Sequence, residues 1–224
     1  MIFSVEVIIN KKRFSDREDL ANALSHMAGA ILALAGLVLM VVFSALKGTA
    51  VHIISSSVFG LSMLFLYTAS SVAHWLPEGK RKDAFFTMDQ VAIFILIAGT
   101  YTPLSLLALH GAVGWIVLSI EWSLALIGIL RLIFRKNLFE SGVGVLDIII
   151  YVLMGWLIVI VSGPVLKSIP LMGYLWIIIG GLFYTLGVIF YRITKFRFHH
   201  LVWHLFVIGG TASHFVAIFF YVLQ

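Results

Sequence analysis

Residues 19–46, DLANALSHMAGAILALAGLVLMVVFSAL, carry no charged side chain after Asp19. A helix needs about 20 apolar residues to cross the ~30 Å hydrocarbon core of a bilayer, so this segment is long enough to span a membrane. Six further apolar runs of sufficient length follow, at about 51–76, 85–109, 112–134, 143–162, 173–192 and 199–223. The sequence therefore predicts an all-α integral membrane protein with a bundle of seven transmembrane helices.

The composition excludes the common soluble classes. Hydrophobic residues make up 62% of the 224 residues and charged residues 11%, against about 45–50% and about 25% in soluble domains. A cytosolic enzyme, a secreted disulfide-rich domain and a nucleic-acid-binding protein are excluded, and the absence of cysteine excludes a thiolate metal site. The connections are short, so we expect one membrane domain over residues 1–224. It begins with a polar segment, 1–19, whose Ser15 and Glu18 fit a helix capping box.

The basic residues predict the orientation of the bundle, because cytoplasmic loops of membrane proteins are enriched in Lys and Arg. Seven spans with a cytoplasmic N-terminus put two basic residues outside, Lys47 and Lys167, and thirteen of the fifteen inside. The inner thirteen are Lys11, Lys12, Arg13, Arg17, Lys80, Arg81, Lys82, Arg131, Arg135, Lys136, Arg192, Lys195 and Arg197. A six-span arrangement would move one basic loop outside, so the charges favour seven spans and an outer C-terminus at Gln224.

Ionisable side chains inside spans are costly and are candidates for function. His200 and His204 lie ~40° apart around a helix and ~6 Å apart along it, whereas His199 points ~100° away from His200. Such a pair can hold one metal ion, or its members can simply lie at the membrane interface.

The predicted topology brings two more polar residues to the depth of this pair. His74 ends the second span and Asp89 starts the third, both on the inner side. Three histidines with one open position are typical of catalytic zinc, and imidazole suits zinc. Ser70, one helical turn before His74, could orient a ligand or a bound water.

At these positions the chain resembles a known family. Residues 70–74 (SSVAH), 88–89 (MD) and 200–204 (HLVWH) match, in order, the S-x-x-x-H, Asp and H-x-x-x-H motifs of the haemolysin III branch of the progestin and adiponectin receptor family. That family is distantly similar to alkaline ceramidases. Residues 21–26 (ANALSH) and 98–103 (AGTYTP) match as well, and the resemblance runs from about 18 to 223. One departure is Gln90, where many relatives have histidine.

The resemblance implies a seven-helix bundle with a cytoplasmic N-terminus in the bacterial cell membrane. It also implies Zn²⁺ near the cytoplasmic side, with His74, His200 and His204 as its ligands. Asp89 would hold a water bound to the zinc, and Ser70 would orient a ligand or polarise the substrate.

The sequence leaves three functions open. The preferred hypothesis is a zinc-dependent hydrolase of a lipid amide or ester, ceramidase-like by resemblance, with membrane lipids as partners and substrate. The second is a membrane receptor or regulator with a structural zinc ion. The third is a cytolytic haemolysin, which the uniformly apolar spans support little. Transport is a minor remaining alternative.

Four other polar residues have simpler interpretations. We expect Glu121 and Asp147 to be buried or hydrogen-bonded between helices, with a hydrated cavity or proton path as the alternative. We expect His26 to pack at the interface, or otherwise to lie around the metal site. His214 is too far along its helix to share the zinc, which predicts an interhelical hydrogen bond.

Overall fold

The structure is a computed structural model that describes residues 14–134 and 143–224. Over those ranges the chain forms helices and no strands. The helices are α1 (Asp16–Lys47), α2 (Ala50–Trp75), α3 (Lys80–Pro103), α4 (Gly111–Phe134), α5 (Val145–Ile160), α6 (Ser162–Ser168), α7 (Leu171–Arg192) and α8 (His199–Ala217). Two π-helical segments, Leu104–Leu109 and Ile218–Val222, extend α3 and α8.

Six of these helical segments in the described ranges are long and apolar enough to cross a membrane. The pair α5 and α6 meets at 58° and makes a seventh span if it is counted as one. The prediction of an all-α membrane bundle is confirmed, and the short helix α6 lies between the predicted runs 143–162 and 173–192, where the sequence predicted only a connection. The direction of the bundle across the membrane and its single-domain organisation stay predictions.

The helices pack around α3. Helix α1 packs along α2, α2 along α3, α3 along α4, α7 along α8, and α8 returns to α1, while α5 touches α3, α4 and α7. In the α3 span, 67% of the most apolar stretch of 18 residues is buried, against 22–44% of the corresponding stretches in the other five spans. The outer surface is apolar as well, for example at Ile31 and Ile160, which are 65% and 79% exposed. An apolar outer surface is what hydrocarbon requires of a spanning bundle.

One end of the bundle gathers helix ends and basic residues. Helices α1, α3 and α8 begin there, and the hydrogen bonds that Asp19 accepts from His74 and Lys82 join α1 to the end of α2 and the start of α3. We call it the basic end, after its exposed residues Lys80, Arg81, Arg192, Lys195 and Arg197. It is the end that the sequence predicts to be cytoplasmic.

Glu18 fixes the starts of two helices at the basic end. The Ser15 backbone N–H donates to Glu18 Oε2 at 3.0 Å and the Glu18 N–H donates to Ser15 Oγ at 3.4 Å, which confirms the predicted capping box of α1. The other carboxylate oxygen of Glu18 accepts the N–H of Phe198 at 3.0 Å. Phe198 has a left-handed backbone, φ 61°, a conformation uncommon for a bulky residue. Glu18 thus holds the first turn of α8, which contains His200, against α1.

Candidate metal centre

Three histidines converge inside the basic end. His74 belongs to the last turn of α2, and His200 and His204 occupy successive turns at the start of α8. Each offers one ring nitrogen, and the three nitrogens lie within 4.8 Å of one another. The residues are 2%, 8% and 1% exposed. These three side chains could therefore hold one metal ion, and the structure groups the histidines that the sequence selected.

His74 is oriented by a carboxylate. Its Nδ1 lies 2.9 Å from Asp19 Oδ1 on α1. An ionised carboxylate can only accept, so Nδ1 carries the proton and the lone pair lies on Nε2. Metal-ligating histidines commonly donate their second ring N–H to a carboxylate in this way, which fixes the ring and makes it a better ligand.

His204 is oriented in a similar way by α1. Its Nδ1 lies 3.0 Å from Ser25 Oγ and 3.2 Å from the carbonyl oxygen of Asn22. The Ser25 hydroxyl donates to the same carbonyl at 2.8 Å, so it accepts from Nδ1. The proton is again on Nδ1, and His204 Nε2 is buried with no hydrogen-bond partner among the described residues. A buried ring nitrogen with an unused lone pair is suited to a metal ligand.

Asp19 is the main residue of the site that the sequence reasoning missed. It is 7% exposed and its second oxygen, Oδ2, accepts from the Lys82 ammonium at 2.5 Å. Lys82 is 2% exposed and also lies 3.0 Å from Glu78 Oε1. From the sequence alone, Asp19 is only the first residue of a span, and Lys82 is only one of the basic residues that indicate the inner side. The predicted topology could have indicated Asp19, because it puts the start of the first span at the same depth as His74.

His26 lies against the histidine cluster. Its ring stacks on His204 with centroids 3.5 Å apart and planes 13° apart, and it meets the Tyr67 ring nearly at a right angle, 83°, with centroids 5.1 Å apart. The residue is 2% exposed within the bundle. Of the two expectations for His26, the structure favours the second, since the ring packs from α1 against the candidate ligand His204 on α8.

Asp89 and Ser70 lie beside the histidines rather than among them. The Asp89 carboxyl is half-buried and lines a cavity that His26 and His200 also line. The Ser70 hydroxyl is fully buried and is a close neighbour of the Asp89 carboxyl. This arrangement is compatible with a carboxylate that contacts a metal only through water, and the assigned roles stay predictions.

The cavity has a volume of about 560 Å³ and opens at the basic end. A smaller apolar cavity of about 90 Å³ lies deeper in the bundle, between α3, α5, α7 and α8. The two share four lining residues, Leu66, Ile93, Trp203 and Val207. The cavity beside the histidines thus adjoins an apolar space deeper in the bundle.

The other selected residues lie outside the cluster. Asp147 is buried, accepts from Arg131 Nε at 2.9 Å, and caps α5 through the Gly144 N–H. His214 Nε2 lies 3.1 Å from the Ile177 carbonyl oxygen, which confirms the interhelical hydrogen bond. Glu121 is fully buried, as expected, and no described residue hydrogen-bonds to its carboxyl.

Known proteins with similar sequences span almost the whole chain. The family described as "Haemolysin-III related" matches residues 14–215. The "Hemolysin-3 homolog" of Bacillus subtilis is 41% identical over 211 residues, which cover 94% of this chain and 97% of that protein. "Hemolysin-3" of Bacillus cereus is 38% identical over 207 residues, covering 92% and 93%.

A human protein, "Monocyte to macrophage differentiation factor", is 27% identical over 183 residues, covering 76% of this chain and 71% of its own. This match is consistent with the distant relation to the progestin and adiponectin receptor family. Together with the apolar helices, the bacterial relatives show a multi-pass protein of the bacterial cell membrane. The chain belongs to the haemolysin III family.

Proposed function

We propose that the chain is a zinc-dependent membrane hydrolase that cleaves an amide or ester bond of a lipid. The observation that carries the proposal is the group of three buried histidines, His74, His200 and His204, whose ligand atoms lie within 4.8 Å beside an open cavity. All-nitrogen ligand sets suit zinc, and three protein ligands with one open position are typical of catalytic rather than structural sites.

The fit of zinc to these residues is supported by the orientation of the rings. Asp19 accepts a hydrogen bond from the Nδ1–H of His74, and Ser25 with the Asn22 carbonyl accepts one from the Nδ1–H of His204. In both rings the lone pair therefore lies on Nε2, so neither ring would have to change tautomer to bind a metal through that atom. Zinc held there would supply Lewis acidity, which polarises a substrate carbonyl and makes water more acidic.

The remaining steps fall to residues around the cavity. Asp89 lines the cavity together with His200, and the other carboxylate there, Glu18, is already hydrogen-bonded to the helix starts, so we assign Asp89 to orient a water and accept its proton. Ser70, buried beside Asp89, would donate a hydrogen bond to that carboxylate or to the substrate carbonyl. The apolar cavity behind Trp203 would take the part of the acyl chain next to the scissile bond and exclude water from it.

The test is hydrolysis of acyl amide and ester lipids, ceramide included, by the purified protein in detergent. The proposal expects turnover that a chelator abolishes and that one equivalent of zinc restores. Turnover that persists after metal analysis shows complete removal of zinc would overturn it, as would the absence of turnover of any of these lipids by fully zinc-loaded protein.

A structural role for zinc is the second candidate, favoured by one observation. The histidines join α2 to α8, and the hydrogen bonds of His74 and His204 join both helices to α1. Zinc there would stabilise the basic end in a receptor or regulator. This candidate predicts that zinc raises the unfolding temperature while zinc-loaded protein hydrolyses no lipid.

A further inference from the structure

We propose that the cavity beside the histidines selects an anionic amphiphile, whose carboxylate or phosphate group binds Arg192, Lys195 and Arg197 at the cavity mouth. The inference rests on the proposed function, because it names the class of substrate for the same site. It differs from a neutral ceramide-like substrate, since it requires a negative charge close to the scissile bond.

The three cations lie on one short segment. Residues 193–198 connect α7 to α8, and Arg192 ends α7 directly before them. Arg192, Lys195 and Arg197 are exposed, and all three line the 560 Å³ cavity that Asp89 and His200 also line. A ligand group held at the mouth would thus share one chamber with the candidate reacting groups.

The net charge of the residues at the cavity mouth stays positive when the acidic residue there, Glu18, is included. Glu18 also lines the cavity, but its carboxylate already accepts from the Ser15 hydroxyl and from the backbone N–H groups of Ser15 and Phe198. Three cations therefore face one acid that is occupied by the helix starts. Arginine presents a planar fork of donors that matches a carboxylate or phosphate, and lysine adds a compact charge.

Membrane topology explains why cations lie at this end, but not why these three surround the cavity. Lys80 and Arg81 are exposed at the same end of the bundle, yet they line neither this cavity nor the apolar one. The two groups carry the same sign at the same membrane face and differ in position. This difference supplies a matched control.

The order of the lining fits an amphiphile with a charged head. The cations lie at the mouth, His200 and Asp89 lie inward, and Trp203 and Val207 lead into the apolar cavity. A molecule that reaches both spaces would place its anion at the mouth and the first carbons of its acyl chain in the apolar cavity. The amide or ester bond between them would then lie near the histidines.

The experiment compares two probes that differ by one charge, N-oleoylglycine and N-oleoylglycinamide. Lysophosphatidic acid and monooleoylglycerol form a second pair, which separates phosphate from carboxylate. Affinity is measured in uncharged detergent by tryptophan quenching with brominated acyl chains. The protein is treated with a chelator first, so that a carboxylate cannot gain affinity by binding a metal.

We expect the anionic member of at least one pair to bind about tenfold more tightly, because several exposed ion pairs of modest strength add together. The preference should shrink as salt is raised. The double variant Lys195→Gln/Arg197→Gln should lose most of it, while Lys80→Gln/Arg81→Gln, with the same change in net charge, should keep it.

Equal affinities within both pairs in the unmodified protein would overturn the proposal, and so would equal losses in the two double variants. Neither result depends on hydrolysis, so the outcome is distinguishable from failure of the proposed function. A charge preference without turnover by zinc-loaded protein would leave the anion site standing and remove the hydrolase. Turnover without a charge preference would support the hydrolase and overturn the anion site.

Discussion

Replacement of Asp19 by asparagine tests how the candidate metal centre is held in place. The change removes the carboxylate that accepts from His74 Nδ1 and from the Lys82 ammonium. Loss of such a ligand-orienting partner typically weakens metal binding 10–100-fold. We therefore expect zinc affinity, measured by competition with a chromophoric chelator, to fall within that range.

The same change should also destabilise the fold, for a separable reason. Lys82 is 2% exposed and would keep only Glu78, whose side chain is 32% exposed. Removing one member of a buried ion pair costs about 3–5 kcal/mol, and the remaining contact to Glu78 favours the lower limit, about 3 kcal/mol. The double variant Asp19→Asn/Lys82→Met removes the unpaired ammonium, so it should recover stability without recovering zinc affinity.

Asp83→Asn is the control, since it removes a carboxylate beside Lys82 but not the hydrogen bond to His74. Its zinc affinity should equal that of the unmodified protein. The reasoning is refuted if Asp19→Asn binds zinc as tightly as the unmodified protein, or if Asp83→Asn loses as much affinity.

Three further predictions address catalysis and packing. Asp89→Asn should retain zinc and lower turnover by roughly 10²–10⁴-fold, the usual range for a general base; normal turnover in a lipid hydrolysis assay would exclude that role. Gly180→Ala would make a methyl carbon overlap with the His214 ring, so we expect about 1–3 kcal/mol of destabilisation by overpacking, and an unchanged unfolding temperature would contradict it. Asp147→Asn should lower the unfolding temperature by weakening the contact with Arg131, while chelator competition shows unchanged zinc affinity; a loss of zinc would tie Asp147 to the site.

The spans were predictable because hydrocarbon imposes a simple length and composition. Residues 19–46 and the following runs match the observed helices closely, since each had to be apolar over about 20 residues. The break at Val161 was not predictable in this way. The segment after it, Ser162–Ser168, lies between the predicted runs 143–162 and 173–192, and hydropathy does not report that it forms a further helix at 58° to α5.

The histidine cluster could be predicted, because helical spacing puts His200 and His204 close together and the predicted topology brings His74 to the same depth. The residues that support it could not, since Asp19 and His26 act through contacts between distant parts of the chain. His26 was expected at the interface because its depth was known but its helix face was not. Asp19 looked like an ordinary charge at the start of a span until its hydrogen bond to His74 was seen.

The measurement that tests the central claim most directly is the zinc content of the purified protein beside His204→Ala and His199→Ala. His204 belongs to the cluster, while His199, which directly precedes His200 on α8, lies outside it. We predict one equivalent of zinc in the unmodified protein and in His199→Ala, and strong loss in His204→Ala. Zinc-free protein after purification in zinc-containing buffer, or equal zinc in both variants, would contradict the assignment.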